Sequence, residues 1–246
     1  MDAVIYIGHG SRIGEGNKQF IAFIEEVKKE VNIPVQEIAF LELASPSISE
    51  TMEKVILAGA RDILVVPVLL FAAAHFKRDI PEELEIVKAR FPEVRFSVTK
   101  PFDLHPKMMN LVLKRIAEKQ LDTDGVILLV GRGSSDPEPI LKLKEISSHI
   151  QQRLDVPVYT AFLTAGNPGF VCELERLQME YKNICVVPYL LFTGKLLKRM
   201  ASKVAESNND VILCEPLKYD CLMKEVLLER MEEQCGGAVK EKQLVH

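Results

Sequence analysis

The feature that most constrains the fold of this chain is an internal repeat. Three pairs of short segments correspond in the same order, at offsets that drift from 123 to 121 residues: 8–11 with 131–134 (GHGS and GRGS), 40–46 with 162–168, and 65–71 with 186–192. Landmarks that recur in order at nearly constant spacing indicate two copies of one fold. We place the boundary after residue 121, which predicts domains at 1–121 and 122–246.

Each copy alternates short apolar runs with amphipathic segments, a pattern typical of βαβ units around a parallel sheet. The expected strands lie at 4–7, 35–41, 63–69 and 95–98 in the first copy, and at 126–130, 158–163, 184–190 and 211–214 in the second. The predicted fold class is therefore α/β, with two similar duplicated domains. Each domain is expected to hold one roughly four-stranded parallel sheet flanked by helices.

Local signals mark several helix ends. Ser47 and Glu50 have the spacing of a capping box, and Gly59 can close the helix that follows them. Asp79, followed by a proline and a glutamate, predicts a helix start at that residue. The last helix of each copy is expected near 106–119 and 221–235.

Composition excludes several function classes. The chain has 246 residues, 48% of them hydrophobic, and a net charge of −4, so a nucleic-acid partner is not expected. No apolar run approaches the ~20 residues of a membrane span, and no signal peptide is evident, so we expect a cytoplasmic protein. The five cysteines lie in the second half without a C-x-x-C pair, which favours plain thiols over a metal cluster. The duplication makes an obligate dimer unnecessary and is compatible with a monomer.

Residues that can bind a metal or accept a proton follow three of the predicted strands in the first copy. His9 follows the first strand, Glu42 the second, and His75 comes shortly after the third, beyond three alanines. In open parallel sheets, ligands bind outside the carboxyl ends of the strands, so these three side chains are expected to meet. Two imidazoles and a carboxylate suit a first-row divalent metal, and the same groups can accept protons near neutral pH.

A single histidine after a strand is also typical of a structural residue, so the prediction depends on all three positions together. The remaining histidines are excluded from the site, as residues of a helix start, a helix surface and the C-terminal tail: His105, His149 and His246.

The second copy lacks this set, because Arg132, Thr164 and Leu196 stand at the matching positions. It offers instead a group of basic and hydroxyl residues that could hold an anionic substrate: Arg132, Ser134, Ser135, Thr193, Lys195, Lys198 and Arg199. An alternative is that Lys198 and Arg199 form a solvated helix face, since Lys77 and Arg78 match them in the first copy.

A different class of function is suggested by Ser11 and the backbone amides that follow Gly10. They could form an anion nest at a helix N-terminus, as a phosphate-handling enzyme would use. The sequence contains neither a P-loop motif nor a G-x-G-x-x-G motif, so this alternative has little support.

Four motifs together carry a family resemblance: GHGSR at 8–12, FLELASP at 40–46, VVPVLLFAAAHFKRDIPEE at 65–83 and GRGSSDP at 131–137. Their combination resembles the class II chelatases, in particular the long, two-domain sirohydrochlorin ferrochelatases, with the related cobaltochelatases next. The resemblance covers nearly the whole chain.

The resemblance implies a lyase that inserts Fe2+ into sirohydrochlorin, forms sirohaem and releases two protons, without an organic cofactor. It implies His9, His75 and Glu42 as catalytic and metal-binding residues, with the tetrapyrrole in a cleft between the domains. Because sirohydrochlorin carries eight carboxylates, we expect it to be held by basic and hydroxyl residues of both copies: Ser11, Arg12, Arg132, Ser134 and Ser135. Co2+ or Ni2+ as the metal, and a non-catalytic metal or tetrapyrrole carrier, remain open alternatives.

Overall fold

A computed structural model describes residues 1–12, 14–119, 125–192, 194–207 and 210–235. It contains eight strands: β1 Ala3–Gly8, β2 Val35–Phe40, β3 Asp62–Pro67, β4 Arg95–Val98, β5 Val126–Gly131, β6 Val158–Phe162, β7 Asn183–Tyr189 and β8 Asp210–Leu213. They form two four-stranded parallel sheets, in the orders β2-β1-β3-β4 and β6-β5-β7-β8. The predicted α/β class with one sheet per copy is confirmed.

The register of the first sheet aligns the strand ends that matter for function. Gly8 on the central strand β1 lies opposite Phe40 on β2, and Ile7 lies opposite Pro67 on β3. The three strands therefore finish at the same edge of the sheet, immediately before His9, Leu41 and Val68. Every residue of β1 is buried, because helices cover both faces of the sheet.

In the described part of the chain, eight α-helices flank the sheets: α1 Gly14–Lys28, α2 Ile48–Leu57, α3 Ile80–Arg90, α4 Pro106–Ala117, α5 Pro137–Leu154, α6 Phe170–Glu180, α7 Lys195–Ala205 and α8 Cys221–Cys235. One face of the first sheet packs on apolar side chains of α2 and α3, and one face of the second packs on those of α6 and α7. Within the described ranges, no helix is both long and apolar enough to cross a membrane.

The helix ends predicted from local sequence signals agree with the structure. Ser47 caps α2 in a capping box with Glu50, and Gly59 follows that helix at a φ of +107°. His105 caps α4 and His149 is exposed on α5, and among the described residues neither belongs to a group of metal-ligand side chains. The expected start at Asp79 agrees with α3, which begins at Ile80 with Asp79 as its N-cap residue, although a π-helical turn, His75–Asp79, already precedes it.

The structure divides into two compact units, and each contains the last helix encoded by the other copy. Of the described residues, one unit comprises the chain up to Asp103 and residues 223–235, and the other comprises those between Leu104 and Leu222. In the second unit, Arg115 of α4 donates to the backbone carbonyls of Pro216 (3.1 Å) and Leu217 (2.7 Å). Each sheet therefore receives the final helix encoded by the other copy. The predicted boundary after residue 121, and the C-terminal tail with His246, lie outside the described residues.

Candidate active site

The loops after β1 and β2 are joined by their backbones, and this places His9 beside Glu42. Leu41 N–H donates to the carbonyl of Gly8 (2.9 Å), and Glu42 N–H donates to that of His9 (3.2 Å). Gly10 makes this approach possible. It has a φ of +88°, and a Cβ at this position would lie 1.7 Å from the carbonyl oxygen of Glu42. The result is a distance of 3.5 Å between His9 Nε2 and Glu42 Oε1.

The residue after Glu42 has an unusual backbone conformation. Leu43 lies in the left-handed region with a φ of +61°, and its apolar side chain is 46% exposed. Such conformations are costly for residues other than glycine and cluster at functional sites. The loop therefore positions Glu42 in part through local backbone strain.

His75 enters the same space from the third strand end. It begins the π-helical turn, a structure that occurs frequently at functional sites, and its ring centroid lies 4.7 Å from that of His9. One ligand atom from each of His9, Glu42 and His75 can be chosen so that all three lie within 4.8 Å of one another. The structure thus brings together the three residues predicted to form the site.

The three side chains remain accessible. The exposed fractions are 19% for His9, 46% for Glu42 and 31% for His75. Two imidazoles and one carboxylate form a donor set suited to a first-row divalent metal. A half-exposed carboxylate beside two imidazoles can also accept protons.

Asp79, predicted as a helix start, also contacts a residue of the site. Its side chain makes no capping bond; instead, Asp79 Oδ2 lies 2.7 Å from His75 Nδ1, while Oδ1 accepts from Arg78 Nε at 3.0 Å. Burial acts to raise the pKa of Asp79, but the hydrogen bonds to His75 and Arg78 outweigh it, and the pKa is lowered. The spacing of four residues could have revealed this pair, had the helix been extended back to His75.

The substrate-binding residues predicted in the second copy lie at the corresponding edge of the second sheet. Arg132 and Ser135 are exposed, whereas the hydroxyl of Ser134 accepts from the backbone N–H of Asp136 at the start of α5. Lys195, Lys198 and Arg199 are also exposed, and Thr193 lies outside the described residues. Among the described residues, this edge gathers no set of three metal-ligand side chains.

In the first copy, Arg12 is exposed and Ser11 is half-buried, directly before α1. The carbonyl of Ser11 accepts from the side chain of Asn17 (2.9 Å), and Glu15 occupies the first turn of α1. A carboxylate in the first turn disfavours a bound anion at this helix end. The geometry therefore argues against the phosphate-handling alternative.

The structure has the five cysteines as free thiols. Cys185 and Cys214 are buried with their sulfurs 3.3 Å apart, and Cys172 and Cys221 are exposed. In the described part of the chain, no cysteine belongs to a metal-ligand cluster.

Comparison with known proteins identifies the family to which the chain belongs. The CbiX family profile matches the chain twice, over residues 3–119 and 126–234. The sirohydrochlorin ferrochelatase of Priestia megaterium is 41% identical over 226 residues, covering 89% of this chain and 85% of that protein. The sirohydrochlorin cobaltochelatase of the same organism is 30% identical over 253 residues, covering 98% and 82%.

Among solved structures, SirB from Bacillus subtilis with Fe3+ superposes with a TM-score of 0.86 at 35% identity, covering 94% of both chains. The family match spans both copies and includes the segments that carry the three site residues. The predicted resemblance to the chelatases is confirmed, and the chain belongs to the CbiX family.

Proposed function

We propose that this chain is a sirohydrochlorin ferrochelatase, a lyase that inserts Fe2+ into sirohydrochlorin and releases two protons to form sirohaem. The observation that carries the proposal is the cluster of His9, Glu42 and His75, whose ligand atoms lie within 4.8 Å of one another. The ferrochelatase of P. megaterium, at 41% identity, supports the choice of substrate and metal.

The three side chains divide the reaction between them. The imidazoles of His9 and His75 bind the incoming Fe2+, because neutral imidazole is a good ligand for this class of metal. Glu42, the most exposed of the three, and an imidazole accept the two pyrrole protons, which must leave as the metal enters. Bending the macrocycle towards the metal costs ~1–5 kcal/mol, and substrate contacts remote from the reacting nitrogens can supply it.

Those contacts are assigned to residues at the carboxyl edges of the two sheets: Ser11, Arg12, Arg132, Ser134 and Ser135. Guanidinium groups pair with carboxylates through two parallel hydrogen bonds, and hydroxyl groups donate one. The exposed Arg12 and Arg132 are the principal candidates for the eight carboxylates of sirohydrochlorin.

A second candidate function is cobalt insertion, which the 30% identity to a sirohydrochlorin cobaltochelatase favours. Two imidazoles and a carboxylate do not by themselves discriminate between Fe2+, Co2+ and Ni2+, because affinity follows the metal more than the site. A non-catalytic carrier would use the same residues but would not turn over.

The deciding experiment is anaerobic turnover of sirohydrochlorin with Fe2+ and Co2+ in parallel, followed by the absorbance of the macrocycle. A ferrochelatase forms many equivalents of metallated product per protein and works faster with Fe2+ than with Co2+. Faster turnover with Co2+ identifies a cobaltochelatase. Product that stops at one equivalent with both metals identifies a carrier and contradicts the proposal.

A further inference from the structure

His75 presents only one of its two ring nitrogens to the site. Its Nδ1 lies 2.7 Å from Asp79 Oδ2, a short, charge-assisted hydrogen bond. A carboxylate only accepts hydrogen bonds, so Nδ1 must carry the proton and donate it. The Nε2 atom of the neutral ring is then left as a lone-pair acceptor.

The carboxylate that makes this bond is itself held in place. Asp79 Oδ1 accepts from Arg78 Nε at 3.0 Å, so each of its oxygens has a separate partner. The π-helical turn His75–Asp79 places the two side chains four residues apart on one side of the helical chain. Asp79 makes no capping bond to the backbone, so its contacts are directed to side chains.

We propose that Asp79 is a positioning residue, which fixes His75 in the tautomer with the proton on Nδ1 and thereby selects Nε2 as the metal ligand. This inference rests on the proposed function for its catalytic meaning, although the tautomer is a property of the metal-free protein. Ligand histidines commonly donate their second N–H to a carboxylate, which orients the ring and raises the basicity of the ligand nitrogen. In the matching position of the second copy stands Met200, which is buried and cannot play this part.

The test compares Asp79→Ala and Asp79→Asn with the parent protein. Glu82→Ala is the matched control, because it removes an exposed negative charge from the first turn of α3, directly after the π-helical turn. The first readout is the 15N chemical shifts of the His75 ring in metal-free protein, assigned with a His75→Ala variant. We expect the Nδ1–H tautomer in the parent and in Glu82→Ala, and a substantial Nε2–H population in Asp79→Ala.

The second readout is Co2+ affinity, measured from the visible absorption of the bound ion. Asp79→Ala should bind Co2+ about 10–100-fold more weakly, as for loss of other partners of ligand histidines, and Asp79→Asn should fall in between. In turnover, KM for the metal should rise while KM for sirohydrochlorin stays unchanged. Asp79→Ala should have no further effect on Co2+ affinity when His75 is already alanine.

Circular dichroism establishes whether each variant is folded. If Asp79→Ala does not fold, the test is made with Asp79→Asn. An unchanged tautomer and an unchanged Co2+ affinity in the folded Asp79 variants would overturn the inference. If the tautomer and the Co2+ affinity shift as expected but the parent protein inserts no metal, the positioning role stands and the proposed function fails.

Discussion

The two copies of the repeat share a scaffold and differ at the positions that carry chemistry. In the first, Glu42 N–H donates to the carbonyl of His9; in the second, Thr164 N–H donates to that of Arg132 at 2.9 Å. Gly133 repeats the close approach of Gly10, since a Cβ there would lie 2.0 Å from the carbonyl oxygen of Ala165. The backbone joins the two strand ends in the same way in both copies, whatever the side chains are.

The difference teaches which features belong to the fold and which to the site. The glycines occur in both copies, where a Cβ at either position would meet a carbonyl oxygen of the neighbouring loop. The imidazoles, the carboxylate and Asp79 occur in one copy only, so the architecture does not require them. A metal site is therefore expected in the first copy, and the second copy can provide side chains that bind the organic substrate.

The largest effect is expected from removing both imidazoles. His9→Ala combined with His75→Ala should lower Fe2+ insertion by at least about 100-fold, because loss of even an outer partner of a ligand histidine costs about 10–100-fold. Leu196→Ala, at the position in the second copy that matches His75, should stay within about two-fold of the parent protein. Anaerobic turnover assays measure both, and near-normal turnover of the folded double variant would contradict the assignment of the site.

Next come the two glycines that the copies share. Gly10→Ala and Gly133→Ala should each lower the free energy of unfolding by about 2–3 kcal/mol, because the added Cβ meets a carbonyl oxygen and both glycines have a positive φ. Urea titration measures this loss. Only Gly10→Ala should also weaken Co2+ binding, since only its loop carries a proposed ligand; equal weakening by Gly133→Ala would contradict the distinction between the copies.

A charged helix cap distinguishes the copies further. Asp220 and His105 occupy matching positions and accept backbone N–H bonds from Leu222 and Lys107, but Asp220 also bonds Lys114 and Arg115. Burial raises the pKa of Asp220, but the bonds from Lys114 and from the Leu222 backbone outweigh it and lower the pKa to about 2.

Because the native pKa of Asp220 is depressed, its contribution to stability is complete above about pH 4 and is lost as the pH falls towards 2. Asp220→Asn should therefore cost about 2 kcal/mol of unfolding free energy at pH 7 and progressively less between pH 4 and pH 2. Urea titration across this range checks it. Glu215→Gln, an exposed acid of the same loop, serves as the control; a pH-independent cost for Asp220→Asn would refute the explanation.

The smallest expected effect concerns the helices after the second strand of each copy. Ser47 caps α2 through its side chain, whereas Gly169 starts α6 without a side-chain cap and with open space where a Cβ would go. Ser47→Ala should lower the unfolding free energy by about 1 kcal/mol, and Gly169→Ser should raise it by a few tenths. Thermal unfolding of both variants measures the two changes in stability. Destabilisation by Gly169→Ser would show that the N-cap positions of the two helices are not equivalent.

Much of this arrangement could be predicted because its signals are local. Buried strands, the capping box at Ser47 and the parallel topology together place His9, Glu42 and His75 at one edge of a sheet. The contact of Asp79 with His75 could not be predicted, because an acid before a proline indicates only a helix start and nothing in the sequence marks the π-helical turn that precedes it. The packing of α4 and α8 on the sheets of the other copy could not be predicted, because the pattern of an amphipathic helix shows which face is buried but not which sheet it packs against.

That packing has a consequence for how the protein can be divided. A cut between the copies would yield two fragments. Each would carry a last helix that does not belong to its own sheet, and each sheet would lack the helix that packs on it in the full chain. The segment that evolution duplicated is therefore not the segment that folds. Fragments made at this boundary should gain order chiefly when mixed, since each supplies the helix that the other's sheet lacks.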